Sequence, residues 1–149
     1  MGLLGRLKNQ MNSSEMKSKK SHIKNMYAIA LCDGELHNNE FDFILHTGIN
    51  KLYLDGRTVQ EIINQTQDIP LFIPNSNNEK ISHLEDYVKL SMIDGNINDN
   101  EITLCKRLAT SYGFRPVVID KMFKMFISAM AEGIAKDIAL ANALGELEE

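Results

Sequence analysis

The sequence predicts an all-α domain, a single bundle of about seven helices built from two related helix–turn–helix halves. Three observations carry this. Apolar residues recur at helical spacing along most of the chain, with no useful run of period-two alternation. Only three prolines and nine glycines occur in 149 residues, too few for a sandwich of short strands with a turn every few residues. One eight-residue pattern appears twice, 61 positions apart.

The elements follow in order. Residues 1–19 are expected as a basic, weakly helical arm; Arg6, Lys8, Lys17, Lys19, Lys20 and Lys24 load the first 24 residues against only Glu15. The domain proper is expected over 20–149, with halves at about 20–67 and 79–130 and a C-terminal helix beyond. Ile23, Met26, Tyr27, Ala30 and Leu31 lie on one helix face, and Gly34 can take the left-handed conformation that closes a helix. A second helix starts near Asn38 and buries Phe41, Ile44, Leu45, Gly48 and Leu52. Thr58 with Glu61 fits a capping box opening a third. The segment 68–78, with Pro70 and Pro74, reads as a surface loop, with Leu71, Phe72 and Ile73 tucked onto the core. Ile81, Leu84, Tyr87, Val88 and Met92 mark the next helix, ended by Gly95. Asn98 with Glu101 is another capping box, opening a helix that carries Ile102, Cys105, Leu108, Ala109 and Tyr112. Gly113 ends it, and Pro116 suits the first turn of the following helix. Met122, Phe123, Phe126 and Met130 share that helix's buried face, as core filling rather than a binding groove. Residues 134–144 read as a final short helix.

Composition excludes several functions. The chain is 44% hydrophobic with net charge −4, so it lacks the basic footprint of a nucleic-acid binder. It has no apolar run long enough to span a membrane. Cys32 and Cys105 form no CxxC motif and read as buried free thiols. No signal-peptide h-region opens the sequence, so a cytoplasmic location is expected. There is no HExxH, P-loop, GxSxG or His-Pro-Asp motif, and His22, His37, His46 and His83 stand at no ligand spacing with the cysteines. The basic arm is either a solvated end or a peripheral contact for an anionic membrane or acidic partner.

The repeat carries the chemistry. Asp33-Gly34-Glu35-Leu36-His37-Asn38-Asn39-Glu40 aligns with Asp94-Gly95-Asn96-Ile97-Asn98-Asp99-Asn100-Glu101. Glu40 and Glu101 fall in a helix first turn, where the macrodipole favours an anion. Asp33 and Asp94 fall at a helix C-terminus, where it does not. Either a local Asx-turn or a bound cation offsets that cost. The spacing from Gly to Glu matches an EF-hand loop, but Ile29 and Leu31, and Leu90 and Met92, occupy its first ligand positions. Calcium cannot be caged by those side chains.

The doubled helix–Asp-Gly–helix–Glu unit resembles the tellurite-resistance TerB-like family of all-helical bacterial domains. The resemblance covers roughly residues 20–130, with Cys32 and Ile93 in place of the commoner alanine before each Asp-Gly. It implies a cytoplasmic, non-enzymatic module linked to metal or stress responses. It also implies that Asp33, Glu40, Asp94 and Glu101 bind a divalent cation, a protein partner, or both. Calcium, magnesium or manganese would suit such oxygen ligands. The alternatives are that each acid caps only its own helix, that the carboxylates serve a metal-dependent hydrolase, or that the chain is a structural adaptor with a helix-binding groove.

Overall fold

The computed structural model describes residues 14–93 and 98–132. These form six α-helices: α1 (Ser14–Ala30), α2 (Asn38–Asn50), α3 (Gly56–Asn64), α4 (Asn77–Ser91), α5 (Asp99–Ser111) and α6 (Pro116–Glu132), with a short 3-10 turn at Thr66–Asp68. There is no strand among the described residues. The basic arm's residues 1–13, residues 94–97 and the expected last helix at 134–144 lie outside them. No described helix is long and apolar enough to cross a membrane.

Helix ends follow local chemistry. Asn98 Oδ1 accepts from the backbone N–H groups of Asn100 and Glu101 at 3.0 and 3.1 Å, as its spacing to Glu101 predicts. Ser76 Oγ caps α4 by accepting from Glu79 N at 3.1 Å. The expected capping box at Thr58 is corrected. Asp55 is the N-cap of α3, accepting from Thr58 N at 2.7 Å, because a carboxylate one turn earlier takes the same orphan donor. Gly34 and Gly113 have left-handed φ angles of 88° and 96° and close their helices as expected.

Helices α1 and α4 pack against each other at the centre. Helices α2, α3 and α5 also flank α1, and α5 and α6 flank α4. Ile23, Met26 and Ile29 of α1 and Ile81, Leu84 and Val88 of α4 are fully buried, each worth roughly 1.5–3 kcal/mol of transfer free energy. Met122, Phe123 and Phe126 of α6 are equally buried, so the Met/Phe stripe is core. Gly48 lets α2 and α3 approach closely: a Cβ there would stand 2.5 Å from Val59 Cγ2.

Helix α1 starts at Ser14, ahead of residue 20, and its Ser18 is buried and donates to Glu79 Oε1 at 2.7 Å. One further expectation is corrected. In the 69–76 loop, Leu71 and Ile73 are exposed while Ile69 and Pro74 are buried. The loop is held to α1 by polar contacts. Ser21 Oγ accepts from Phe72 N at 2.9 Å, and Lys24 Nζ donates to the Ile69 carbonyl.

Candidate functional site

The first candidate is the pair of acidic turns. At the C-terminus of α1, Asp33 Oδ1 accepts from Glu35 N at 3.1 Å. That is the local Asx-turn expected to offset an anion at a helix C-terminus. His37 follows. Its N–H donates to Glu40 Oε1 at 3.3 Å, and Glu40 N donates to Asn39 Oδ1 at 2.9 Å. Glu40 in α2 and Glu101 in α5 are both buried, and Glu101 lies close enough to act on the Glu40 carboxyl as a hydrogen-bonding neighbour. Burial raises the Glu40 pKa, against the lowering effect of the His37 N–H and of Glu101. Two carboxyls in contact need a proton or a cation between them.

Of the four predicted site residues, the structure therefore brings Glu40 and Glu101 together, with Asp33 near enough for its charge to reach Glu40. Asp94 lies outside the described residues. Among the described residues, no group of three or more His, Cys, Asp or Glu side chains is arranged to hold a metal. Cys105 is buried as expected, but Cys32 is exposed, because it lies past the last turn of α1 on the rim of the acidic turns. Partial desolvation by the surrounding chain and then the charges of Glu101, Asp33 and Glu40 raise its thiol pKa.

The second candidate is a buried polar network between α1 and α4. His22 Nε2 lies 2.9 Å from Asp86 Oδ2, and its Nδ1 lies 2.9 Å from the Tyr87 hydroxyl. Lys51 Nζ donates to Asp86 Oδ2 at 2.7 Å. The Tyr87 hydroxyl also accepts from Asn25 Nδ2 at 3.1 Å and lies 3.0 Å from the Tyr112 hydroxyl. His83 Nδ1 stands 3.1 Å from that second hydroxyl. The two imidazoles stack, with centroids 3.8 Å apart and planes 18° from parallel.

Burial alone would raise the Asp86 pKa. His22 and Lys51 outweigh it and hold the carboxyl well below its usual range. Burial lowers the pKa of His22 against the pull of Asp86. Burial and the facing His22 push His83 down to about 2. Both imidazoles are therefore neutral and Asp86 is ionised at neutral pH. The network opens at Lys51 and His83 onto a cleft of about 440 Å³, which Tyr53 also lines. Tyr53 is 83% exposed with φ of 58°, an uncommon backbone state for a bulky side chain.

No protein-family model, curated protein or solved structure matches this chain. The geometry is thus what any functional reading rests on. The polar network was not legible as a motif, because its members share none. The signal lay in two places. His22 and Asn25 interrupt the apolar stripe of α1, as His83 and Asp86 interrupt that of α4. The same 61-residue shift that aligns the acidic turns also lays His22 on His83.

Proposed function

We propose that this chain is a cytoplasmic, non-enzymatic binding module of TerB-like kind, made of two related halves, which takes a divalent cation, a protein partner, or both at its acidic turns. The observation that carries the reading is the contact between Glu40 and Glu101. Two acids one repeat apart meet in the fold instead of each serving only its own helix. Two related halves are supported by a second matched pair, the stacked His22 and His83. They are also supported by the elements themselves, since α2 (Asn38–Asn50) and α5 (Asp99–Ser111) are offset by the same shift.

Hard oxygen donors favour calcium, magnesium or manganese over zinc. Glu40 and Glu101 would supply two carboxyl ligands, and Asp33 and Asp94, matched by the sequence repeat, are the further candidates. A cationic side chain from a partner would neutralise the same pair. The test is calorimetric titration of manganese and of calcium into the wild type, Glu40→Gln and an Asp33→Asn/Asp94→Asn double variant. A saturable heat in the wild type that both variants lose supports the cation reading. Equal heats from all three proteins would remove it.

A further inference from the structure

With Asp86 ionised and both imidazoles neutral, the contacts of the buried network allow one direction for its hydrogen bonds. Asp86 is ionised and has Lys51 on Oδ2, so the neutral His22 must present Nε2–H to it. His22 Nδ1 is then an acceptor, and Tyr87 must donate its one hydroxyl proton there. The Tyr87 oxygen consequently accepts from Asn25 and from the Tyr112 hydroxyl. With the Tyr112 proton committed, His83 must donate from Nδ1 to the Tyr112 oxygen. His83 is neutral, so its Nε2 carries a lone pair.

That lone pair faces another acceptor. Glu79 Oε1 lies 3.9 Å from His83 Nε2, and Ser18 Oγ donates to the same carboxylate oxygen at 2.7 Å. Two acceptors 3.9 Å apart can both be reached by one group that carries several donors, such as an ammonium. They lie in the cleft of about 440 Å³, within the size range of small-molecule sites. The formal charges lining it are Glu15, Glu79, Lys19 and Lys51, with Asp86 directly behind Lys51. This balance leaves one net negative charge. Tyr53, held out by its left-handed backbone, adds an aromatic face to the rim, a surface that attracts cations.

We propose that this cleft binds a small molecule through its primary ammonium group, seated between the Glu79 carboxylate and His83 Nε2. The network's role is to keep His83 an acceptor. A histidine free to protonate would repel the cation, whereas this one is locked as the Nδ1–H tautomer by a chain of donors anchored on the Asp86–Lys51 pair. The site is separate from the acidic turns, and its test does not depend on them.

The experiment is NMR of ¹⁵N-labelled full-length protein at pH 7.5, titrated with propylammonium chloride, 1-propanol and sodium propionate. Long-range ¹⁵N–¹H correlations should show His83 protonated on Nδ1 and His22 on Nε2. Propylammonium should give saturable shifts at the His83 ring and at residues 76–83, and neither propanol nor propionate should do so. Glu79→Gln should weaken the binding roughly tenfold or more, as expected for loss of a charge-assisted hydrogen bond. Ser18→Ala, which keeps the carboxylate but frees it to rotate, should weaken it less. An Nε2–H tautomer at His83 would overturn the proposal. So would the absence of saturable shifts with propylammonium, equal shifts with propionate, or undiminished binding in Glu79→Gln.

Discussion

Acidification from pH 8 to pH 5 should destabilise this protein through His83 in particular. The side chain is 4% exposed, stacked on His22, and faced also by Asp86, Lys51, Glu79 and the Tyr87 and Tyr112 hydroxyls. Its pKa is about 2 in the fold against 6.5 for the free group. Between those values the unfolded chain binds a proton that the folded chain refuses, so stability is full above pH 6.5 and falls as the pH drops. At pH 5 the loss from this one group is about 2 kcal/mol, with a slope approaching about 1.4 kcal/mol per pH unit. His22 is shifted the same way and adds to the loss. Asp86 does not interfere, because a lowered carboxylate pKa withdraws stability only below its unfolded value of 3.8. Glu40, with a raised pKa, opposes the trend weakly. Urea unfolding of the wild type and His83→Phe at pH 8, 7, 6 and 5, with the slope against denaturant checked for constancy, measures this directly. Phenylalanine keeps a ring in the stack and removes the titration. The two pH profiles should diverge by about 2 kcal/mol at pH 5; parallel profiles would refute the reasoning.

Three further outcomes are expected. Gly34→Ala should cost about 1–2 kcal/mol from backbone strain alone, since its φ is 88° and open space surrounds the new methyl; Gly34→Asn should recover part of this in thermal unfolding. Gly48→Ala should gain about 1 kcal/mol of helix propensity but lose about 1–3 kcal/mol to the Val59 clash, for a net loss that Val59→Ala in the same chain partly relieves. Under native conditions a thiol reagent should label Cys32 and spare Cys105, which is buried with its pKa pushed up to about 12. Glu101→Gln should speed the Cys32 reaction, because the Glu101 charge disfavours the thiolate.

Much of the fold was legible because its determinants are local. The apolar stripes at Ile23–Ile29 and Ile81–Val88, Gly34, Gly113, Asn98 and Pro116 each act within a turn or two of themselves. Where local signals competed, the reading slipped. Asp55 and Thr58 both look like caps, and only the backbone angle at Asp55, extended with ψ of 161°, decides between them. In the 69–76 loop, hydrophobicity favoured Leu71 and Ile73 as anchors. The side chains of Ser21 and Lys24, far away in sequence, instead fix which apolar groups turn inward. The approach of Glu40 to Glu101 was one of two readings the repeat left open, since matched acids either meet or cap only their own helices.

Two buried places bring like side chains together. His22 stacks on His83 and Glu40 lies near Glu101, each pair is 61 positions apart in sequence, and all four groups are ionisable and buried. Like groups facing there cannot both carry charge without help. The histidine pair resolves this by staying neutral, with a carboxylate and a lysine fixing one tautomer at the edge of the stack. At the carboxyl pair burial raises the Glu40 pKa, and the His37 N–H and Glu101 lower it. One pair is therefore balanced by staying neutral, while the other calls for a proton, an ion or a partner. That asymmetry is the physical reason to look for binding at the acidic turns and for a rigid, pre-set acceptor at His83.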